Sequence, residues 1–240
     1  KDEFLGTISH ELRTPMNGVL GCLEHIHDEP ISDKASQYLN YADRSARHMM
    51  LLVDSLLTYT ELQSGKIHFD NKPFLTKDLV ASSRTLFSEL AQKKGIALSF
   101  FIEEATPDVL ISDFNRISQI LNNLLDNAIK FTRHGRVEVR IHGEIANLQN
   151  GDFNLLIHVS DTGIGIAEEK LSLIFERFRQ ADGAFNRGYG GLGIGLAVIK
   201  ALLDYLHGSI DVESSMDRGS TFTVHVPCRC QVAGDQAEIA

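Results

Sequence analysis

The 240-residue chain is 43% hydrophobic and 23% charged, an ordinary globular composition with room for one large domain or two modest ones. Its net charge of −9 sets nucleic acid aside as a partner, because a phosphate backbone requires a basic surface. No apolar run approaches the roughly 20 residues of a membrane span, no signal peptide opens the chain, and the sequence contains no repeats. Three cysteines, Cys22, Cys228 and Cys230, lack metal-ligand spacing and read as reduced cytosolic thiols, the last two alternating along a strand-like tail. Lys1 falls in mid-helix, as expected of a piece cut from a longer chain.

The first helix is expected from Lys1 to about Asp28, with an apolar seam of Leu5, Ile8, Leu12, Val19, Leu23 and Ile26. At about 100° per residue His10 lies about 160–200° from Ile8 and Leu12, so it faces solvent. Thr14 shares its face one turn on, Glu11 is the adjacent carboxylate, and Pro15 predicts a kink. A lone helical histidine is most often a solvated surface residue, and only its context argues for more. Pro30–Asp33 reads as a turn with Ser32 or Asp33 as the next N-cap. The second helix carries a heptad seam of Leu39, Ala42, Ala46, Met49, Val53, Leu56 and Thr60. Two such helices make an antiparallel hairpin that buries one seam, so two chains are expected to pair into a four-helix bundle. Met49 and Met50 read as core and flank.

Gln63–Lys66 ends the hairpin, and the pattern beyond it is mixed α and β. Helix is expected over Thr76–Lys94, closed by Gly95, and again from an Asp113 cap to about Phe131. Strands are expected at Ile96–Ile102, at Arg136–Ile145 and Phe153–Ser160 around an Asn150-Gly151 turn, and at Ser209–Glu213 and Thr221–Val226. Lys170–Arg179 and Ile194–Leu206 read as helices. The fold class is thus α+β: a dimeric helical hairpin followed by a two-layer domain with a mixed sheet and helices on one face.

On the helix from Asp113, Ile117, Leu121, Leu124, Leu125 and Ala128 share one face, while Asn123 and Asn127 share the other with Arg116 and Lys130. Two aligned carboxamides offer neutral oxygens to Mg²⁺, and Lys130 can meet phosphate. Taken alone, this face reads better as a solvated polar surface. Asp161-Thr-Gly-Ile-Gly165 follows a strand directly, so its glycines turn the chain while Asp161 points into a pocket. Gly190-Gly-Leu-Gly-Ile-Gly195 opens a helix, where bare amides favour phosphate. A dinucleotide-binding Rossmann loop should follow a strand in a βαβ unit; this one follows the polar stretch Gln180–Tyr189, which reads as a lid, and Rossmann is rejected.

Phe4-Leu-Gly-Thr-Ile-Ser-His-Glu-Leu-Arg-Thr-Pro15 resembles the phospho-acceptor box of sensor histidine kinases, with seven consecutive matches from Ser9 to Pro15. Asn123-Leu-Leu-Asp-Asn-Ala-Ile-Lys-Phe-Thr132, Asp161-Thr-Gly-Ile-Gly-Ile166, Phe175-Glu-Arg-Phe178, Gly191-Leu-Gly-Ile-Gly-Leu196 and Gly219-Ser-Thr-Phe222 resemble, in order, the N box, first glycine box, F box, second glycine box and last glycine box of their ATPase domain. The resemblance spans essentially the entire chain and implies the Bergerat ATP fold shared with gyrase- and MutL-type proteins. It implies ATP and Mg²⁺ as cofactors: Asn123 and Asn127 for the metal, Lys130 for the phosphates, Phe131 for the adenine face, and Asp161 as acceptor of the adenine amino group. Gly163, Gly165, Gly191, Gly193, Gly195, Thr221 and the lid residue Arg187 complete the implied nucleotide set. Relatives that hydrolyse ATP carry a glutamate at the first N-box position. Asn123 cannot act as that base, so transfer to His10 is the implied fate.

His10 would attack the γ-phosphate with Glu11 as orienting base, and Thr14 would place a water for dephosphorylating a receiver. The implied partners are a second copy through the hairpin, a receiver domain or response regulator docking near Asn17, Gly18 and Gly21, and another histidine kinase. The implied domains are 1–64 for dimerisation and phosphotransfer, 65–230 for ATP binding, and 231–240 as a tail or linker towards a receiver. The whole would be the cytoplasmic portion of an inner-membrane-anchored hybrid sensor. Close relatives carry a Ser/Thr-rich lid, whereas this one reads Ala181-Asp-Gly-Ala-Phe-Asn-Arg-Gly-Tyr-Gly-Gly191, with Leu192 where threonine is usual. Three readings follow: an active kinase with phosphatase capacity; a regulatory member acting on another kinase in the manner of the RetS type; and a generic ATPase of the superfamily. The other nine histidines, His142, His158 and His225 among them, show no ligand spacing and read as surface or edge residues.

Overall fold

In the computed structural model the described residues are 69–147, 151–176 and 195–230, with 17–21 and individual positions between 23 and 61 of the first region. The chain divides into two compact units, Lys1–Ile67 and His68–Ala240. Among the described residues no helix is long and apolar enough to cross a membrane.

In the first unit the described positions from 17 to 26 and from 34 to 61 are helical. Of the two expected caps, Ser32 acts: its Oγ accepts the Ala35 N–H at 3.3 Å and its carbonyl accepts the Ser36 N–H at 2.9 Å. Leu23, Ala46, Val53 and Thr58 are buried. Ala42 and Met49 belong to the same heptad seam yet face outward, as do Val19 and Ile26. One sister helix covers one stripe, so alternate seam positions stay uncovered in a single chain.

The second unit runs β1 (Lys72–Leu75), α1 (Thr76–Lys94), β2 (Ile96–Ile102), β3 (Val109–Ser112), α2 (Phe114–Phe131), β4 (Gly135–Asn147), β5 (Asp152–Asp161), α3 (Glu168–Leu171), α4 (Gly195–Tyr205), β6 (Ser209–Ser215) and β7 (Gly219–Cys230). The sheet order is β1-β3-β7-β5-β4-β2, with β6 also paired to β7. Only β2 and β4 run parallel; the other pairings are antiparallel. Val137, Val139 and Ile141 of β4, Leu155, Ile157 and Val159 of β5, and Phe222, Val224 and Val226 of β7 are buried on the face that the helices cover. Against them α2 presents Ile117, Ile120, Leu121, Leu124, Leu125, Ala128 and Ile129, all buried. The α+β class, with a mixed sheet and helices on one face, is therefore observed.

Local chemistry fixes the ends of the elements. Gly95 closes α1 at φ 68°, the left-handed turn that glycine takes without a Cβ penalty, and its N–H meets the carbonyls of Ala91 and Gln92. Asp113 caps α2: one carboxylate oxygen accepts the Arg116 N–H at 3.1 Å, and the other accepts the Asp70 N–H at 3.1 Å.

Three expectations are corrected. The helix read at Lys170–Arg179 is a single turn at Glu168–Leu171 followed by reverse turns up to Glu176; residues beyond that lie outside the described set. None of its residues is buried, so no packed face sustains a longer helix. Strands β1 and β3 add an edge pair that the sequence did not declare: four residues each is too short for alternation to show, and Pro73 sits inside β1. Of the surface-or-edge reading of His142, His158 and His225, the surface part holds, since all three are partly exposed, but they lie on the sheet's central strands rather than at its edges.

Candidate functional site

Strand β5 ends at Asp161, the point where α2, β4 and β7 also terminate or begin. The Gly163 N–H donates to Asp161 Oδ1 at 2.7 Å, turning the chain back beneath the carboxylate. The Ile164 N–H then bonds the Phe131 carbonyl at 3.3 Å, tying this loop to the end of α2. On its far side the Ile164 carbonyl accepts the Asp217 N–H at 2.8 Å, and the Ile166 N–H donates to Ser214 Oγ at 2.8 Å. The loop is thus stitched between α2 and the β6–β7 turn.

Its glycines have steric reasons. A Cβ on Gly163 would stand 2.6 Å from the Phe131 carbonyl oxygen and 2.8 Å from Asp161 Oδ1. Gly165 has φ 68°, and a Cβ there would collide with the Ser215 carbonyl. Gly195, at the start of α4, has open space where a Cβ would stand, so sterics alone do not demand glycine there.

Burial raises the Asp161 carboxyl above the usual carboxylate range, while the amides of Gly163 and Ser220 pull it back. A desolvated carboxylate at the floor of a loop is poised to accept from an amine. Phe131 is partly exposed, and Lys130 Nζ sits 5.1 Å from its ring centroid. Burial is the largest influence on the Lys130 amine and lowers its pKa; Asp126 opposes this, and the Lys94 charge adds to it. Lys94 Nζ itself donates to the Ile129 carbonyl at 2.7 Å, closing the end of α2. An aromatic ring and a partly desolvated cation therefore meet at the last turn of α2, whose final carbonyl is tied to the loop that holds the Asp161 carboxylate.

Asn123 and Asn127 lie on α2 upstream of that turn. The side-chain nitrogen of Asn123 is buried with no hydrogen-bond partner, so its carboxamide is uncommitted. Among the described residues no three His, Cys, Asp or Glu side chains converge as a metal cage. A divalent cation held here would rest on carboxamide oxygens, waters and phosphate; Mg²⁺ takes hard oxygen ligands and commonly keeps waters and phosphate oxygens in its shell. The residues present fit both nucleotide and metal.

The structure therefore gathers Asp161, Gly163, Gly165, Lys130 and Phe131, with Asn123 and Asn127 further along the same helix. It does not bring Thr221 to Asp161: the Thr221 hydroxyl bonds Ser160 Oγ at 2.9 Å on the sheet face away from the helices. Its neighbour Ser220, which the sequence reading passed over, meets Asp161 through its amide and Ser214 through its hydroxyl at 2.9 Å. Strand alternation could have found it, since buried Phe222 puts residue 220 on the inner face. Thr162 was missed as well; its Oγ1 accepts the Arg136 N–H at 3.0 Å and anchors the loop to β4. His10, Glu11, Thr14, Arg187, Gly191 and Gly193 lie outside the described residues.

Comparison with known proteins agrees with this geometry. Residues 112–229 match the family described as histidine kinase-, DNA gyrase B- and HSP90-like ATPase, and residues 1–65 match the His Kinase A (phospho-acceptor) domain. The chain is 36% identical over 226 residues to signal transduction histidine-protein kinase BarA of Escherichia coli strain K12, covering 94% of this chain and 24% of that protein. It is 37% identical over 227 residues to autoinducer 2 sensor kinase/phosphatase LuxQ of Vibrio cholerae, covering 94% of this chain and 26% of that one. The chain thus spans about a quarter of the curated relatives it matches. Among solved structures, full-length ShkA in complex with AMPPNP aligns with 99% of this chain and 48% of its own length, at TM-score 0.72 and 30% identity. With a phospho-acceptor domain match preceding an ATPase domain match, and relatives named as histidine kinases along 94% of its length, the chain belongs to the sensor histidine kinases.

Proposed function

We propose that this chain is a kinase core that transfers the γ-phosphoryl group of ATP to His10 and passes it to an aspartate of a receiver domain, with phosphatase capacity towards that receiver. The observation carrying the proposal is desolvated Asp161 at the base of a loop whose glycines Gly163 and Gly165 admit no side chain and which is tied to the end of α2. Within it Asp161 selects the adenine amino group, Phe131 covers the ring, and Lys130 meets phosphate charge. Asn123 and Asn127 would hold Mg²⁺, which when bound spreads charge on the phosphate oxygens. Arg187, Gly191, Gly193 and Gly195 are assigned to the phosphate side, and Ser220 replaces Thr221 beside Asp161.

At the acceptor, the neutral imidazole of His10 attacks phosphorus in line, Glu11 takes its proton, and the bond to the leaving oxygen of ADP breaks. Asn123 offers no carboxylate to activate water, which supports transfer over hydrolysis. Thr14 is assigned to placing the water that dephosphorylates the receiver; a kinase/phosphatase is what LuxQ is named. We assign residues 1–64 to dimerisation and phosphotransfer, 65–230 to nucleotide binding and 231–240 to a linker. The chain would be the cytoplasmic part of a hybrid sensor anchored in the inner membrane by a segment outside these 240 residues. Exposed Val19, Ile26 and Met49 support pairing of two chains through the hairpin.

The experiment is incubation with γ-labelled ATP and Mg²⁺, followed by addition of a receiver domain. Label is expected on the wild type, absent from His10→Ala and Asn127→Ala, and chased onto the receiver. Tight ATP binding with no label would overturn the kinase reading. That result would favour the regulatory reading, which Leu192 and the hydroxyl-poor lid sequence support, with action on a partner kinase as in the RetS type. Hydrolysis unaffected by His10→Ala would instead favour a generic ATPase.

A further inference from the structure

Nucleotide chemistry leaves the helix-free face of the sheet unexplained. Its central strands turn Arg140 and His142 of β4, His158 and Ser160 of β5, and Thr223 and His225 of β7 onto that face. Register pairs Arg140 with His158 and His142 with Leu156, so the two histidines are diagonal neighbours. Their rings stack with centroids 4.8 Å apart and planes inclined by 6°, and their Nε2 atoms lie 2.6 Å apart. On the next strand Thr223 stands opposite His158, with its hydroxyl 2.9 Å from His158 Nδ1.

Two imidazoles meeting Nε2 to Nε2 share one proton at that contact. If Thr223 accepts from Nδ1–H, His158 directs an Nε2 lone pair at its neighbour, and loss of the shared proton leaves two converging lone pairs. Metal-ligating histidines characteristically donate their second ring nitrogen to a nearby oxygen, which fixes tautomer and ring orientation. Imidazole is a preferred ligand of zinc, copper and nickel.

We propose that His142 and His158 form a two-histidine site for a late first-row divalent cation of the Zn²⁺, Cu²⁺ or Ni²⁺ kind, with Thr223 as the residue that orients His158. Two metal–nitrogen bonds of about 2.0–2.1 Å at a tetrahedral angle need a nitrogen separation of about 3.3 Å, so the rings must open by roughly 0.7 Å. Among the described residues no third His, Cys, Asp or Glu completes a cage. The remaining coordination positions fall to water or an incoming ligand, the character of an exchangeable site. The neutral, ligating form of His158 is favoured, since burial first, then the charges of His142, His225 and Arg140, lower its pKa, with Glu103 opposing. Asp211 lies 3.4 Å from His225 Nε2, engaging that ring elsewhere. The site does not depend on the nucleotide reading.

The test is calorimetric titration of the full 240-residue chain with Zn²⁺ in a non-chelating buffer, beside His142→Gln, His158→Gln and Thr223→Val. A saturable step near one equivalent per chain is expected, with proton release. Both glutamine variants should lose it, and Thr223→Val should weaken it by about tenfold or more. Identical isotherms for the wild type and both glutamine variants, or no saturable step, would overturn the proposal. Because a substitution could disturb the sheet, imidazole nitrogen resonances of the wild type give a second reading. The Nε2 signals of His142 and His158 should move on adding Zn²⁺; movement confined to other histidines contradicts the site.

Discussion

Burial raises the Asp161 carboxyl above the usual range, so in the folded protein the ionised form is held at a cost to stability. That cost develops as pH rises from the ordinary 3.8 through the raised folded value and persists above it. Asp161→Asn keeps an oxygen for the Gly163 amide but removes the charge. Its melting temperature at neutral pH is therefore predicted to equal or exceed that of the wild type. Nucleotide affinity should fall by about 10–100-fold, the worth of a charge-assisted hydrogen bond, as measured by calorimetry. Lys130 works in the opposite sense. Burial and the Lys94 charge lower its pKa from 10.5, so it discharges at a lower pH than a free lysine does. ATP affinity is predicted to decline as pH rises towards that lowered value, whereas Lys130→Arg, whose charge persists, should show no such decline. A wild-type profile as flat as that of Lys130→Arg would remove Lys130 from the phosphates.

At the scale of elements, α2 carries the site, and its start is set by Asp113. Removing that carboxylate in Asp113→Ala orphans the amides of Arg116 and Asp70. A cost of about 1–2 kcal/mol is predicted, readable as a lower midpoint in denaturant titration, with the unfolding slope unchanged. Both ends of this helix were legible in the sequence, because an acidic cap and an apolar face of Ile117, Leu121, Leu124, Leu125 and Ala128 are local signals, to which packing adds Ile120 and Ile129. The same holds for α1, closed by Gly95, and for β2, whose bounds match the expected Ile96–Ile102. Features set by tertiary pairing were not legible. Strands β1 and β3 exist because each finds the other, with β3 also paired to β7, and residues 172–176 are turns rather than helix because no packed face supports them. Thr221 faces away from the helices and Ser220 towards Asp161, a difference that box matching does not read because it ignores strand alternation. The stacked histidines are separated by 16 residues and become neighbours only through the β4–β5 register.

For the whole molecule, the hairpin of one chain leaves Val19, Ile26 and Met49 with 47%, 42% and 48% exposure, too much apolar surface for a finished bundle. Light scattering is predicted to give twice the 26.6 kDa chain mass, and Met49→Glu should shift the population towards the single-chain mass. The central claim, transfer of phosphate from the α2 pocket to His10, is tested most directly by mapping the label. Trypsin cleavage after Lys1 and Arg13 yields a peptide in which His10 is the sole histidine, beside Thr7 and Ser9. After a brief incubation with sub-saturating γ-labelled ATP, label stable to alkali and lost in acid is predicted on that peptide, reduced by about 10–100-fold when Asp161→Asn is used. Acid-stable label there, label on another peptide, or none at all would contradict the account.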